Sequence, residues 1–571
     1  MTWQETVKVW QSFAELESGL KESLVSMNDD ELKDAFYAPL EFGTAGMRGV
    51  VGAGINRMNS YTVRQATEGL ARFMESFGEE AKKRGVAIAY DSRHFSPEFA
   101  MEAARTLAKH DIPSYVFESL RPTPELSFAV RHLHTFTGIM ITASHNPSAY
   151  NGYKVYGEDG GQMPPQDADA LTSFVREIEN PLTIEVMSDE ELTASGLLTM
   201  IGEDVDRPYL DELNTVLINP QLLKESTDLN VVYTPLHGTG KMLSERALEE
   251  AGFTGLKIVA EQAIPDGDFT TVKSPNPEEA GAFEYAVKLG KETDADLLLA
   301  TDPDADRLGA AVRLPNGEYQ VITGNQIAAI LLDYILQARK ETGQLPSNAA
   351  AVKSIVSSEF ATAIAKSYDV KMIDVLTGFK FIAEQIKHFE ETNEQTFVFG
   401  FEESYGFLIK PFVRDKDAIQ TVLLLTEVAV AVKKQGKTLY DRLQELYQEH
   451  VYFVEKTNAM TFAGLEGSEK IKSLMKQLRQ NTPQTLGGMT VVKTLDFQSQ
   501  VATNVDGRTE EILLPPANVL KFLLEDGSWV AARPSGTEPK IKFYMGIVAS
   551  NKQSADEKLA SIEADVMTFA K

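Results

Sequence analysis

Val86-Ala87-Ile88-Ala89-Tyr90 is a short apolar strand, and its continuation decides the fold. A polar loop comes next, then a helical stretch over 97–110, then a second strand over 113–117. The same order returns at Val231-Val232-Tyr233, with a loop through Gly240, a helix to Ala251 and a strand over 256–260. It returns again at 350–352 with Ile355, a helix around 360–367 and a strand over 370–375. Strands alternating with helices of this length predict βαβ units and parallel pairing, with the loops at the strand C-termini forming the site. The chain therefore reads as α/β, with three similar α/β domains.

The last portion has another pattern. Strands over 519–524 and 529–532 flank Asp526-Gly527, the strongest short hairpin signal. A strand over 542–548 comes after them, then a helix with Leu559, Ile562, Val566 and Phe569 on one face. This predicts a C-terminal α+β domain. Boundaries near 205, 320 and 446 divide the chain into 1–205, 206–320, 321–446 and 447–571. A length of 571 residues fits that division, since one core does not grow so large.

Hydrophobic content of 43% and charged content of 24% are those of a soluble globular protein. A formal net charge of −28 argues against nucleic acid or an anionic membrane as partner. An anionic substrate would have to be captured by local clusters of Arg, Lys and backbone N–H. The absence of cysteine excludes disulfides, thiolate zinc sites and Cys nucleophiles, and fits a reducing compartment. Met1-Thr2-Trp3-Gln4-Glu5 lacks the features of a signal peptide, and the richest apolar run, 421–432, is too short to span a bilayer. The expected location is cytoplasmic.

Two motifs carry the chemistry. Thr142-Ala143-Ser144-His145-Asn146-Pro147 offers a hydroxyl in a tight turn after an apolar strand, with His145 adjacent and Lys154 returning to the same region. Asp302-Pro303-Asp304-Ala305-Asp306-Arg307 offers three carboxylates on alternate residues, able to converge on one ion, with Arg307 offsetting charge. An EF-hand is excluded, because Arg307 and Arg313 stand where it needs Gly and Glu. Three carboxylates suit Mg²⁺ if a phosphate oxygen adds a ligand. Together the motifs imply phosphoryl transfer through an enzyme-bound phosphate.

Further polar loops fit that chemistry. Arg533-Pro534-Ser535-Gly536-Thr537 has the guanidinium fork, hydroxyls and glycine of a phosphate cradle. Glu402-Glu403-Ser404 suits vicinal sugar hydroxyls, and Gly43-Thr44-Ala45-Gly46-Met47-Arg48-Gly49 reads as a glycine-rich loop carrying one Arg. His237-Gly238-Thr239-Gly240-Lys241 lacks the upstream glycine of a P-loop and has Met242 where Ser or Thr is required, so nucleotide binding there is rejected.

In their order along the chain, the motifs 43–49, 142–147, 302–307, Thr377-Gly378-Phe379-Lys380, 402–404 and 533–537 resemble the α-D-phosphohexomutase superfamily, especially its phosphoglucomutase branch related to phosphopentomutases. Residues 233–238 and 271–277 resemble that branch more narrowly. The resemblance implies mixed sheets and four domains around a central cleft, bearing in turn a phosphoserine loop, a metal loop, a sugar loop and a phosphate loop. Ser144 would be the phosphoserine, binding Mg²⁺ together with Asp302, Asp304 and Asp306. Lys154 would handle protons, with His145 and Arg48 assisting. Thr377, Gly378, Lys380, Glu402, Ser404, Lys416 and Arg307 would meet the sugar phosphate, and Arg533, Ser535, Gly536 and Thr537 the non-reacting phosphate. The implied reaction interconverts α-glucose 1-phosphate and glucose 6-phosphate through glucose 1,6-bisphosphate, in a monomer or dimer whose partners are small sugar phosphates.

One departure stands out. Some relatives carry a His shortly after Glu-x-Ser, where this chain has Tyr405, Gly406 and Phe407. Mannose or pentose phosphates are alternative substrates. The rival chemistries are an aspartyl-phosphate enzyme with Asp302 as nucleophile, which would leave Ser144 without a role, and a sugar-phosphate-binding protein without turnover.

Overall fold

The computed structural model of the protein describes residues 2–43, 46–462, 465–535 and 540–569. The chain divides into two compact units. The first comprises Met1–Thr323, Ala383–Glu391 and Ser404–Gly436, and the second Gly324–Ile382, Thr392–Glu403 and Lys437–Lys571.

The first unit holds two mixed sheets. In one, Val86–Tyr90 pairs in parallel with Ser114–Phe117 and Thr137–Ile141, and Ser114–Phe117 with Leu198–Ile201. Tyr150–Tyr156 then runs antiparallel to Thr137–Ile141, and Gly46–Val50 antiparallel to Tyr150–Tyr156. In the other, Val231–Thr234 lies parallel to Leu256–Ile258 and Leu297–Thr301, and Leu308–Arg313 and Tyr319–Ile322 complete the sheet antiparallel. Val86 to Ala89 and Leu297 to Ala300 are fully buried, as continuous apolar runs covered on both faces should be. The helix Ser60–Glu75 packs Val63, Ala66, Leu70 and Met74 into the first core. It starts where it does because Asn59 Oδ1 accepts from the N–H groups of Tyr61 and Thr62, each at 3.1 Å.

Residues 43–49 differ from the loop expected of them. Gly46–Val50 is an edge strand, so Arg48 stands on a sheet, and Thr44 and Ala45 lie outside the described residues. Gly46 has φ 135° and sits so close to its partner strand that a Cβ would meet the Tyr153 carbonyl oxygen at 2.0 Å. The glycine serves strand pairing there.

In the second unit, Ala349–Ser354 pairs in parallel with Lys371–Val375 and Thr396–Glu402. The C-terminal sheet is antiparallel, with strands in the order Tyr452–Thr461, Lys540–Ala549, Trp529–Pro534, Leu520–Leu524, Met489–Asp496, Val501–Asn504 and Thr509–Glu511. The Asp526-Gly527 turn joins Leu520–Leu524 to Trp529–Pro534 as expected, with Gly527 at φ 87°. The last helix, Lys552–Thr568, buries Ile562 and Val566 against this sheet. No helix among the described residues is long and apolar enough to cross a membrane.

One partly buried carboxyl gives the second unit a pH dependence. Glu455 accepts a hydrogen bond from Ser358 Oγ, and burial raises its pKa from 4.5 to about 7. A raised carboxyl contributes stability that is complete below its unfolded pKa and is lost as pH rises through about 7. Glu455→Gln removes the ionisation, so its advantage over the parent should grow by about 2.5 kcal/mol between pH 5 and pH 8. Denaturant unfolding at both pH values checks this, and a pH-independent difference would refute it.

Candidate active site

Ser144 comes after the fully buried strand Thr137–Ile141 and adopts φ 50°. A left-handed conformation is uncommon for a residue with a Cβ and has to be held by its surroundings. Here the Ser144 N–H donates to Thr142 Oγ1 at 2.8 Å, and that hydroxyl donates to Asp91 Oδ2 at 2.6 Å. Arg93 donates to the Ser144 carbonyl at 2.5 Å. The result aims the Ser144 hydroxyl at the aspartates: Oγ donates to Asp302 Oδ2 at 2.7 Å. His145 Nδ1 lies 3.2 Å from the same Oγ. Burial, then the charges of Arg307 and Arg48, push the His145 imidazole well below its ordinary value, so it is neutral at pH 7.

The three aspartates leave the buried strand Leu297–Thr301 and fold back on themselves, with Ala305 at φ 49°. Asp302 Oδ1 accepts from the N–H groups of Asp306 at 3.2 Å and Arg307 at 3.1 Å. One oxygen from each of Asp302, Asp304 and Asp306 lies within 4.8 Å of the others, and all three residues are buried. Cations offset them in part: Lys154 Nζ is 2.8 Å from Asp304 Oδ2, and Lys416 Nζ is 3.0 Å from Asp306 Oδ2. Thr123 Oγ1 also donates to Asp304 Oδ2, at 3.0 Å.

Burial and the charges of Asp304 and Asp306 raise Asp302 well above the carboxylate range. Burial opposes ionisation of Asp304 too, but Lys154, a hydrogen bond with Asp302 and the charge of Lys416 together outweigh it and hold that group low. Asp304 Oδ1 and Asp306 Oδ1 are buried with no hydrogen-bond partner. Buried acceptors in this state want a cation, and an all-oxygen set suits a hard divalent one. The donor set fits a metal ion.

Arg307 donates to Glu278 Oε1 at 2.9 Å and to the Ser404 carbonyl at 2.8 Å. Arg48 donates to Asn146 Oδ1 at 2.8 Å, on the serine turn itself. Thus Ser144, His145, Lys154, Arg48, the three aspartates, Arg307, Ser404 and Lys416 all belong to the first unit. Within it, cations gather around the serine and the aspartates despite the net charge of −28.

The second unit carries the remaining candidates. Glu402 ends the strand Thr396–Glu402, and its Oε1 accepts from the Gly378 N–H at 2.7 Å. Gly378 has φ 125° and, with Thr377, joins the strand Lys371–Val375 to the helix Phe379–Thr392, whose Lys380 Nζ stands 5.2 Å from the Phe381 ring centre. Glu403 is tied down by Ser354 Oγ at 2.8 Å and Ser357 Oγ at 3.2 Å. Arg533 lies in the strand Trp529–Pro534, and the adjoining Ser535 donates its N–H to the Lys540 carbonyl at 2.7 Å. Gly536 and Thr537 lie outside the described residues.

The sequence alone does not single out Asp91 and Arg93. Their only signal there is an Asp-Ser-Arg triplet closing the strand Val86–Tyr90, which says nothing about which distant atoms it will bind.

Comparison with known proteins agrees along most of the chain. Models of the phosphoglucomutase/phosphomannomutase family match in series: alpha/beta/alpha domain I over residues 39–182, domain II over 207–316, domain III over 323–450 and the C-terminal domain over 487–564. A phosphoglucomutase of Staphylococcus epidermidis is 41% identical over 535 residues, 93% of this chain and 95% of that protein. One from Staphylococcus aureus is 40% identical over 545 residues, 95% and 96% of the two chains. Among solved structures, parafusin, a phosphoglucomutase from Paramecium, matches the fold at TM-score 0.66 and 17% identity, covering 93% of this chain and 95% of its own. A phosphoglucomutase/phosphomannomutase family protein from Burkholderia thailandensis does so at TM-score 0.66 and 18% identity, covering 92% and 97%. With its serine turn set on a buried aspartate triad and nearly its whole length matched, the chain belongs to the phosphoglucomutase/phosphomannomutase family of α-D-phosphohexomutases.

Proposed function

We propose that the protein is a phosphoglucomutase, interconverting α-glucose 1-phosphate and glucose 6-phosphate with Ser144 as phosphoryl carrier. The observation that carries this is the 2.7 Å contact between Ser144 Oγ and Asp302, at the edge of three buried carboxylates, two of whose oxygens accept no hydrogen bond. The identity of about 40% to phosphoglucomutases over nearly the whole chain supports glucose as the sugar.

In the first half-reaction the phosphoryl group leaves Ser144. The P–Oγ bond breaks and Oγ takes up a proton, a bond from phosphorus to O6 of glucose 1-phosphate forms, and the O6 proton passes to a base. The bisphosphate then turns over. In the second half-reaction the P–O1 bond breaks, P–Oγ re-forms as Oγ gives its proton to a base, and O1 takes up a proton. Neutral His145 is suited to accept a proton, and Lys154, an ammonium beside Asp304, to give one, with Arg48 assisting from the serine turn. Asp302, Asp304 and Asp306 would hold a divalent cation, Mg²⁺ by its preference for oxygen, which when bound supplies charge neutralisation for the phosphoryl group.

Glu402, Ser404, Thr377, Gly378 and Lys380 are proposed to meet the sugar, with Arg307 and Lys416 serving its charge. Arg533, Ser535, Gly536 and Thr537 are proposed to grip the phosphate that does not react. Both phosphates of the intermediate must fit that grip in turn, so a guanidinium fork suits it better than a point charge. Phosphoryl transfer asks a protein mainly for alignment and charge, and the side chains proposed here provide both.

A coupled assay on the 1-phosphates of glucose, mannose and ribose, with glucose 1,6-bisphosphate present, tests the reading. Turnover of glucose 1-phosphate should exceed that of the others in kcat/KM. A clear preference for mannose or ribose would move the assignment within the family, and binding without isomerisation on any of them would overturn it.

A further inference from the structure

The phosphoserine turn is built around a buried guanidinium. Arg93 is 2% exposed and donates to four backbone carbonyls of a single loop. Nη2 reaches those of Ser144 at 2.5 Å and of Asn146, and Nη1 those of Pro147 at 2.8 Å and Tyr150 at 3.0 Å. Four carbonyl dipoles turned toward one point would repel one another, and a cation at that point reverses the sign. Its counter-ion is Asp91, fully buried, with an oxygen 3.4 Å from Arg93 Nε. Asp91 has a second task, since it accepts from Thr142 Oγ1, the hydroxyl that caps the Ser144 N–H. The same ion pair thus holds the turn through its carbonyls on one side and through its N–H on the other. The guanidinium also lies 4.9 Å from the ring centre of Phe269, a buried residue of the metal-bearing α/β domain.

We infer that Arg93 is a positioning residue for phosphoryl transfer, fixing Ser144 Oγ relative to the aspartate triad. A buried charge is costly unless fully paired, and the serine turn is where this one makes its hydrogen bonds. Ser144 stands at φ 50°, and a serine released from these bonds relaxes toward the extended region, carrying Oγ away from Asp302. A lysine cannot replace the fork, because a compact ammonium does not reach all four carbonyls, spread from Ser144 to Tyr150, while keeping Asp91. The inference rests on the proposed role of Ser144 and adds a residue that stands outside the aspartate triad.

The test is kinetic, on the full-length Arg93→Lys and Arg93→Ala variants. Misplacing a reacting atom by about an ångström costs on the order of a hundredfold, so kcat should fall by roughly 30- to 300-fold in Arg93→Lys while KM for glucose 1-phosphate stays within about threefold. The rate at which glucose 1,6-bisphosphate phosphorylates Ser144, tracked by intact mass, should fall in step. Guanidinium ion at non-denaturing concentration should restore part of kcat to Arg93→Ala and none to Arg93→Lys, whose side chain fills the cavity. A kcat for Arg93→Lys near that of the parent overturns the inference, as does a loss carried wholly by KM. Failure of both variants to fold overturns it as well, since Arg93 would then be a determinant of folding alone. A parent enzyme with no phosphate on Ser144 and no mutase activity would refute the proposed function instead, and the two failures are told apart by that control.

Discussion

Ser144→Ala is expected to lower mutase turnover by at least about four orders of magnitude, because it deletes the atom proposed to carry the phosphoryl group between half-reactions. No neighbour can stand in. Asp302 is held high by burial and by two further carboxylates, which makes it a poor nucleophile, and His145 is the group proposed to take a proton during the transfer. The replacement should leave the fold intact: it removes one hydroxyl, and the bonds that set the turn run through the Ser144 N–H and carbonyl. Intact mass should find one phosphate on the parent, mapped to the peptide containing Ser144, and none on the variant. The coupled assay should find the variant inactive even with glucose 1,6-bisphosphate supplied. Turnover surviving in Ser144→Ala but lost in Asp302→Asn would turn the mechanism over to an aspartyl phosphate.

Much of the fold is legible in the sequence alone. The runs Val86–Tyr90, Val231–Thr234 and Leu297–Thr301 declare themselves because a strand covered on both faces must be apolar with little interruption. Asp526-Gly527 declares a hairpin because few other pairs accept its backbone angles. The aspartate cluster is legible because alternate spacing in one tight loop is a local property. What the sequence conceals depends on distant partners. Arg93 acts on carbonyls of residues 144 to 150, about fifty positions away or more, and backbone acceptors leave no trace in side-chain identity. Lys416, expected to meet substrate, has Asp306 at 3.0 Å and Asp415 at 2.9 Å. The strand Gly46–Val50 reads as a loop because its Gly46, present for close approach to Tyr153, looks like that of a flexible segment. Glu402 and Ser404 are two residues apart yet belong to different compact units, which no reading of a three-residue motif reveals.

Removal of divalent metal is expected to abolish turnover reversibly, and the aspartate triad should report the ion through stability as well as activity. Three buried carboxylates within 4.8 Å of one another repel, and Lys154 and Lys416 offset only part of that charge. An ion bound to the folded protein alone stabilises it by RT ln(1 + [L]/Kd), about 2.7 kcal/mol at a hundredfold excess over Kd. Added Mg²⁺ should therefore raise the unfolding transition of the chelated parent. Asp302→Asn should shrink that gain, since it withdraws one ligand and leaves a neutral side chain of the same shape. In chelator the same variant should be about as stable as the parent, because burial and the two neighbouring carboxylates already hold Asp302 well above the carboxylate range and disfavour its charge. Asp304→Asn should behave differently. It strips Lys154 of its 2.8 Å partner, so it should lose stability even without metal, by roughly 1–3 kcal/mol for a buried charge left short of its pair. Both variants should lose mutase activity by two orders of magnitude or more, about 2.7 kcal/mol or above in transition-state stabilisation. Thermal unfolding of the three proteins, each with chelator and with Mg²⁺, decides the matter. A parent indifferent to the ion in both stability and turnover would mean that the three carboxylates do not form a metal site.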